Sequence, residues 1–289
     1  MAFNPNIVFI SPSSLSDFEK CPQLYYYRYV YKTPRGLKIQ TINPSLALGQ
    51  SVHDALNQFL TTTLPLERTE EELKRIFEWT WNGLSGEKGG FSNQEEEQEY
   101  KNRGLGMISR FLKNKHFLES EMVKIASFPK IELGNDLMLT GKIDWLEKDG
   151  EGYQIIDFKT GKNEEKEDSK QLPIYALLAS KILQSNNIKA SYWYLDKDEN
   201  TTSFNLPNLE ETLSELKKKG EIIKMVRQTQ SYHCQSGEES CWACKEILAV
   251  VQGKGKLVSV DAVNRKQEIY ILPKTENKKT FEVADDLPF

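Results

Sequence analysis

Apolar positions recur at helical spacing through residues 1–120 and at strand spacing beyond them. Ser11-Pro12-Ser13-Ser14 reads as a helix start, with the aromatic-rich run from Leu15 to Tyr31 as its body. Leu46, Val52, Leu56 and Leu60 form a stripe that predicts a second helix from about Pro44 to Thr62. Glu67 to Leu84 and Gln94 to Glu119 predict two more, separated by the Gly-rich loop Ser85 to Gly90. Met122 to Leu133, Leu137 to Glu147 and Tyr153 to Lys159 then read as strands. The turn signals Gly134-Asn135-Asp136 and Asp149-Gly150 between them are short enough for an antiparallel meander. A polar loop, Gly161 to Asp168, precedes a helix from Ser169 to Ser185, and Ala190 to Leu195 is a further strand. A long helix, Leu209 to Gln228, leads to a cysteine-rich segment, followed by strands at Lys256 to Val263 and Gln267 to Leu272. No internal repeat is evident.

Composition narrows the class. At 289 residues, 38% hydrophobic and 28% charged, the chain has length for a sizeable core and an ordinary globular balance. No run approaches the roughly 18 apolar residues of a membrane span, and Met1 to Ile10 lack the marks of a signal peptide. The expectation is a cytoplasmic protein, of a bacterial cell or phage-infected host, with no membrane partner. A net charge of −4 argues against a protein that coats nucleic acid, but a local basic groove remains open. The four cysteines, Cys21, Cys234, Cys241 and Cys244, suggest a metal or cluster site, because structural disulfides are disfavoured in the cytosol.

The chemistry concentrates on two strands. Asp157 and Lys159, two apart, point to one face, and Asp144 in Gly141-Lys142-Ile143-Asp144 lies near the end of the preceding strand. A carboxylate pair can hold a hard divalent cation beside a phosphodiester, with Lys159 stabilising charge developing on phosphorus. An Asp-x-Lys pair is common on exposed strand edges; here it interrupts an apolar strand at its end. His53 is a further candidate ligand, although a lone helical histidine is more often a packed residue. Gln171 and Tyr175 share one helix face at i and i+4 and can position DNA or a metal-bound water, core packing being the default for Tyr175.

In order, Gly49 to His53, Gly141 to Asp144, Asp157 to Lys159 and Gln171 to Tyr175 resemble the motifs of the PD-(D/E)XK nuclease superfamily, in its RecB-like branch. The resemblance runs from about Ser11 to Cys244, and Ile143 stands where the superfamily's name has a proline. It implies an α/β fold: a mixed central sheet flanked by helices in a restriction-endonuclease-like core, with an N-terminal helical portion tied to a C-terminal cysteine cluster. It implies that His53, Asp144, Asp157 and the backbone carbonyl of Phe158 ligate Mg2+ or Mn2+. Lys159 would be catalytic, with Gln171 and Tyr175 beside it. An imidazole ligand favours Mn2+.

Cys241-x-x-Cys244 is a chelating pair, with Cys234 before it and Cys21 far upstream. The layout resembles RecB-like nucleases such as the AddB nuclease domain and the fourth Cas protein of CRISPR adaptation, in which four cysteines hold a 4Fe-4S cluster. Those relatives place the close pair before the lone cysteine, whereas Cys234 comes first here. Zn2+ is therefore the alternative, and His233 a competing ligand.

The chain finishes on Asp285-Asp286-Leu287-Pro288-Phe289, which resembles the acidic tip of bacterial single-stranded-DNA-binding proteins. That likeness implies docking onto proteins that read such tips, or occupation of the chain's own basic groove. The expected organisation is one nuclease domain over residues 1–272 and a flexible acidic tail over 273–289. Within the domain, 1–120 is the mainly helical part, 121–206 the catalytic core, 207–250 the helix and cysteine cluster, and 251–272 extra strands. The expected activity is that of a metal-dependent DNA exonuclease on single strands or duplex ends, in recombination, repair or phage DNA metabolism. The rivals are a catalytically idle DNA-end-binding adaptor and a CRISPR spacer-processing nuclease.

Overall fold

The structure is a computed structural model that describes residues 7–237 and 239–273. Strand β1 (Val8–Ile10) leads into α1 (Pro12–Lys20). Ser11 caps α1 by accepting from Ser14 N at 3.1 Å, while Ser11 N donates to Ser14 Oγ at 2.8 Å, a reciprocal box that fixes the helix start. The single helix expected from Leu15 to Tyr31 is broken. Cys21 is extended (φ −168°, ψ 120°) because the following Pro22 excludes it from the helical region. Pro22 then opens α2 (Pro22–Tyr25), which widens into a π-helical turn over Tyr26–Val30.

The next elements are β2 (Lys38–Thr41), α3 (Pro44–Thr62), α4 (Glu70–Asn82), α5 (Gln94–Lys113) and α6 (Lys115–Glu119). Asn114 divides the expected Gln94 to Glu119 helix, ending α5 and capping α6 through its side chain. There follow β3 (Lys130–Gly134), β4 (Leu137–Thr140), β5 (Trp145–Asp149) and β6 (Gly152–Lys159). Then come α7 (Gln171–Leu183), β7 (Ile188–Tyr194), β8 (Thr202–Phe204), α8 (Leu209–Thr229), α9 (Lys245–Val251), β9 (Lys256–Asp261) and β10 (Gln267–Ile271).

These strands fall into three sheets. The central one is mixed, in the order β5-β6-β7-β8, with β6 and β7 parallel and the outer pairs antiparallel. A second sheet has the order β1-β4-β3 and a third β2-β10-β9. The expected meander is thus corrected: β3–β4 and β5–β6 are antiparallel hairpins, but β4 and β5 belong to different sheets. The expected strand from Leu137 to Glu147 leaves its ladder at Gly141. There the Tyr175 ring packs so closely that a Cβ would stand 2.7 Å from its Cε1. The expected strand from Met122 is confined to Lys130–Gly134. Pro129 lacks an N–H and restricts the residue before it, which works against a continuous ladder.

Alternation along β6 sorts its side chains between two cores. Ile156 and Phe158 join Trp145, Trp193 and the apolar stripes of α3, α4 and α5 on one face. Phe117 stacks on Trp193 there at 4.9 Å between centroids. Ile155 faces the other way, with Tyr192, Tyr194, Tyr175 and Leu177 of α7, and Leu216 and Ile223 of α8. A third, smaller cluster joins Cys21 and Leu24 to Ile39, Cys244 and Ile247. The mixed sheet flanked by helices, with the early helical part meeting the late cysteines, is the architecture expected from the sequence. Among the described residues, no helix is long and apolar enough to cross a membrane.

Candidate active site

The two core faces meet at one end of the central sheet, and the candidate residues gather there. Asp144 sits immediately before β5, where the break at Gly141 releases the chain from its first sheet. Its Oδ2 accepts from Phe158 N at 3.1 Å, which fixes the carboxylate against β6. His53 reaches it from α3, with Nδ1 3.2 Å from Asp144 Oδ1. Burial disfavours the His53 imidazolium, but the Asp144 and Asp157 carboxylates outweigh it and raise the ring above its ordinary value. Burial likewise opposes ionisation of Asp144; His53, Lys142 and the Phe158 N–H overcome it and hold the carboxyl below the usual range.

Asp157 is 2% exposed, near the end of β6. Gln171 Nε2 donates to its Oδ1 at 2.9 Å and stands 3.2 Å from the Tyr175 hydroxyl. Asp157 Oδ2 is buried without a hydrogen bond. Lys159 Nζ lies 3.2 Å from that oxygen, close enough for charge attraction but outside hydrogen-bonding geometry. Burial, with the Asp144 carboxylate adding to it, pushes the Asp157 carboxyl up to about 7 against the pull of Lys159.

Lys159 is held on several sides. Its Nζ donates to Gln171 Oε1 at 2.6 Å, pairs with Glu165 Oε1 at 2.6 Å and stands 5.1 Å over the Tyr192 ring. Burial disfavours its charge, and Asp157 and Glu165 more than restore it. Gln171 thus bridges the acid and the lysine through the two ends of one amide, which requires both on one strand face and Gln171 in the first turn of α7. Glu165 escaped the sequence reading. It is one acid among several in a polar loop without periodicity, and only its place between Lys159 and Gln171 marks it.

The donors fit a hard divalent cation: an imidazole and two carboxylates, one of whose oxygens, Asp157 Oδ2, is buried with only the Lys159 ammonium beside it. They are not gathered as tightly as the thiols, since Asp157 turns towards Gln171 and Lys159. Among the described residues, Cys21, Cys234, Cys241 and Cys244 form the one such group whose ligand atoms all lie within 4.8 Å of one another, and His233 is outside it. Cys241 Sγ is 3.7 Å and Cys234 Sγ 3.8 Å from Cys244 Sγ. Hydrogen bonds from Ser236 bring the Cys234 thiol down to about 6, while burial raises Cys244. Residues Asp285 to Phe289 lie outside the described residues.

The mixed sheet thus sets two acids and a lysine at one end, beside a helical histidine. Residues 10–246 match the model of the PD-(D/E)XK nuclease superfamily, and the chain belongs to that superfamily. It is also 26% identical over 195 residues, 55% of its length, to a subunit of the ATP-dependent helicase/deoxyribonuclease of Clostridium perfringens (strain SM101 / Type A), in keeping with the RecB-like branch. The match covers 16% of that relative, so this chain spans only a small part of its length. The crystal structure of SSO0001 aligns over 82% of this chain and 93% of its own, at 13% identity and a TM-score of 0.30, too low to support an argument.

Proposed function

We propose that this chain is a divalent-metal-dependent deoxyribonuclease, an exonuclease acting on single strands or duplex ends in recombination, repair or phage DNA metabolism. The observation that carries this reading is the buried Asp157 carboxylate, whose Oδ2 has only the Lys159 ammonium beside it at 3.2 Å, close to the His53–Asp144 pair. A carboxylate so buried is costly, and a further cation beside it is favourable. His53, Asp144, Asp157 and the Phe158 carbonyl would hold Mg2+ or Mn2+, which would supply polarisation of the phosphate and a more acidic bound water. Lys159 donates to the oxygen on which charge develops, and Gln171, braced by Tyr175, keeps Asp157 and Lys159 in register.

The test is digestion of end-labelled single- and double-stranded DNA with Mn2+ or Mg2+, beside Asp157→Ala. Loss of cleavage in the variant is expected, and unchanged digestion rejects the site.

For the cysteines we infer one tetrahedral ion, zinc. At about 2.3 Å per Zn–S bond, tetrahedral thiolates stand about 3.8 Å apart. Two of the sulphur pairs, at 3.7 and 3.8 Å, suit that arrangement, and all four sulphurs lie within 4.8 Å of one another. In a 4Fe-4S cluster each thiolate sits on a different iron, so the sulphurs stand farther apart. The tail's proposed role is docking on a protein that reads single-strand-binding tips, which deletion of Phe289 would abolish in a pull-down.

A further inference from the structure

Beside the site runs a groove of about 440 Å3 whose lining includes Glu165, Gln171, Trp242, Lys20 and Lys166. Glu165 and Gln171 are the two side chains that hold Lys159. Lys159 itself does not line the groove, which meets the candidate catalytic lysine through these two partners. Trp242 is 69% exposed, whereas Trp81, Trp145 and Trp193 are all buried in the core. Cys241 and Cys244 flank it closely in sequence and are drawn together at 3.7 Å between their sulphurs. The backbone that carries the indole is thus held on both sides, which lowers the cost of ordering this segment on a ligand.

Trp79 is as exposed, so exposure alone says little; what sets Trp242 apart is that its ring lines a groove, where a planar group can stack on it. The lining favours an anion. Among the described residues Lys20 and Lys166 have no ion-pair partner; of the groove acids Glu165 is taken by Lys159 and Glu19 by Lys219, which leaves Asp168 as one carboxylate against two ammonium groups. An unpaired nucleic-acid strand meets both demands, offering a planar base to the ring and phosphates to the cations. A duplex keeps its base faces inside its own stack.

We propose that Trp242 is a base-stacking platform and that this groove carries single-stranded DNA towards Lys159. The proposal rests on the nuclease reading for its direction, since it places the strand's phosphate at that lysine.

The test measures binding of a fluorescently labelled single-stranded oligonucleotide, an abasic strand of equal length and a blunt duplex, without added divalent metal. Wild type, Trp242→Ala, Trp242→Phe and Trp79→Ala are compared. Trp79 is equally exposed, at 69%, but lies outside the groove. Trp242→Ala is expected to weaken single-strand binding by about 10-fold or more. Trp242→Phe should restore most of it, and Trp79→Ala should match wild type. The abasic strand should bind wild type weakly and show no further loss in Trp242→Ala, with duplex binding unchanged. Unchanged single-strand affinity in Trp242→Ala overturns the proposal. So does an equal loss for duplex, or tight abasic binding by wild type. Bound metal and thermal midpoint of Trp242→Ala are measured alongside, and a loss of affinity that accompanies loss of cysteine-bound metal counts against the proposal unless Trp242→Phe, with metal intact, retains affinity. Wild-type cleavage with Mn2+ is followed in parallel. Its absence would reject the nuclease reading, while cleavage with unchanged Trp242→Ala binding rejects the stacking platform alone.

Discussion

The ammonium of Lys159 lies 2.6 Å from Oε1 of Glu165, an acid on the loop between β6 and α7. Glu165 lines the groove, so its carboxylate faces a phosphate that enters there. Glu165→Gln keeps the side chain's size and removes its charge, so DNA is expected to bind more tightly, by about 2- to 10-fold at low salt. Titration of labelled DNA into both proteins, repeated at higher salt where the gap should narrow, checks it. Weaker binding by the variant would show that Glu165 instead aligns the lysine.

The stability of the metal-free protein should fall as pH rises through neutrality. Asp157 is pushed up to about 7 from an ordinary 3.8, so its contribution is full below the unfolded value and is lost as pH climbs through about 7. His53, also raised, acts in the same direction. Asp144, lowered, contributes above its unfolded value and is lost only at more acidic pH. Between about pH 5 and pH 8, metal-free wild type should lose thermal midpoint relative to Asp157→Asn, and saturating Mn2+ should reverse the loss. Parallel melting curves of the two proteins would refute this.

Gly141 owes its place to Tyr175. A Cβ there would stand 2.7 Å from Cε1 of that ring and 3.2 Å from Leu178 Cδ1. Gly141→Ala should cost about 1–3 kcal/mol through overpacking, read by denaturant unfolding, and Tyr175→Leu should recover part of it in the double variant. Additive losses would break the link.

Removing the zinc proposed for the four cysteines should loosen the junction of α1 and α2 with the segment before α9. Elemental analysis should find about one zinc per chain, with no absorbance near 400 nm in an anaerobic preparation. Cys21→Ser should lower the zinc content and cost on the order of 3 kcal/mol of apparent stability. A brown preparation with stoichiometric iron and sulphide would instead establish the cluster.

Much of the site was legible because its chemistry is local. Asp157 and Lys159 share a strand face by alternation, and Gln171 and Tyr175 share a helix face by the helical repeat, so their meeting needs only β6 and α7 to be adjacent. The meeting of His53 with Asp144 is long-range and followed only from motif order. What escaped was irregular. Glu165 lies in a loop, and β1, β2 and β8 are too short to show a period. The break at Gly141 depends on a ring from another element, which spacing within one segment does not reveal.

The pairing of β2 with β10 matters for how the protein is made. Lys38 registers with Gln267 and Thr41 with Tyr270, and Thr33 Oγ1 donates to Glu268 Oε1 across the same junction. During synthesis β2 leaves the ribosome long before its neighbour exists, with a row of backbone donors and acceptors on offer. Everything between Thr41 and Gln267 must be translated before that edge closes. Fragments truncated ahead of Gln267 are therefore expected to be sticky, and a stretch that emerges late acts as the seal on one that emerged early.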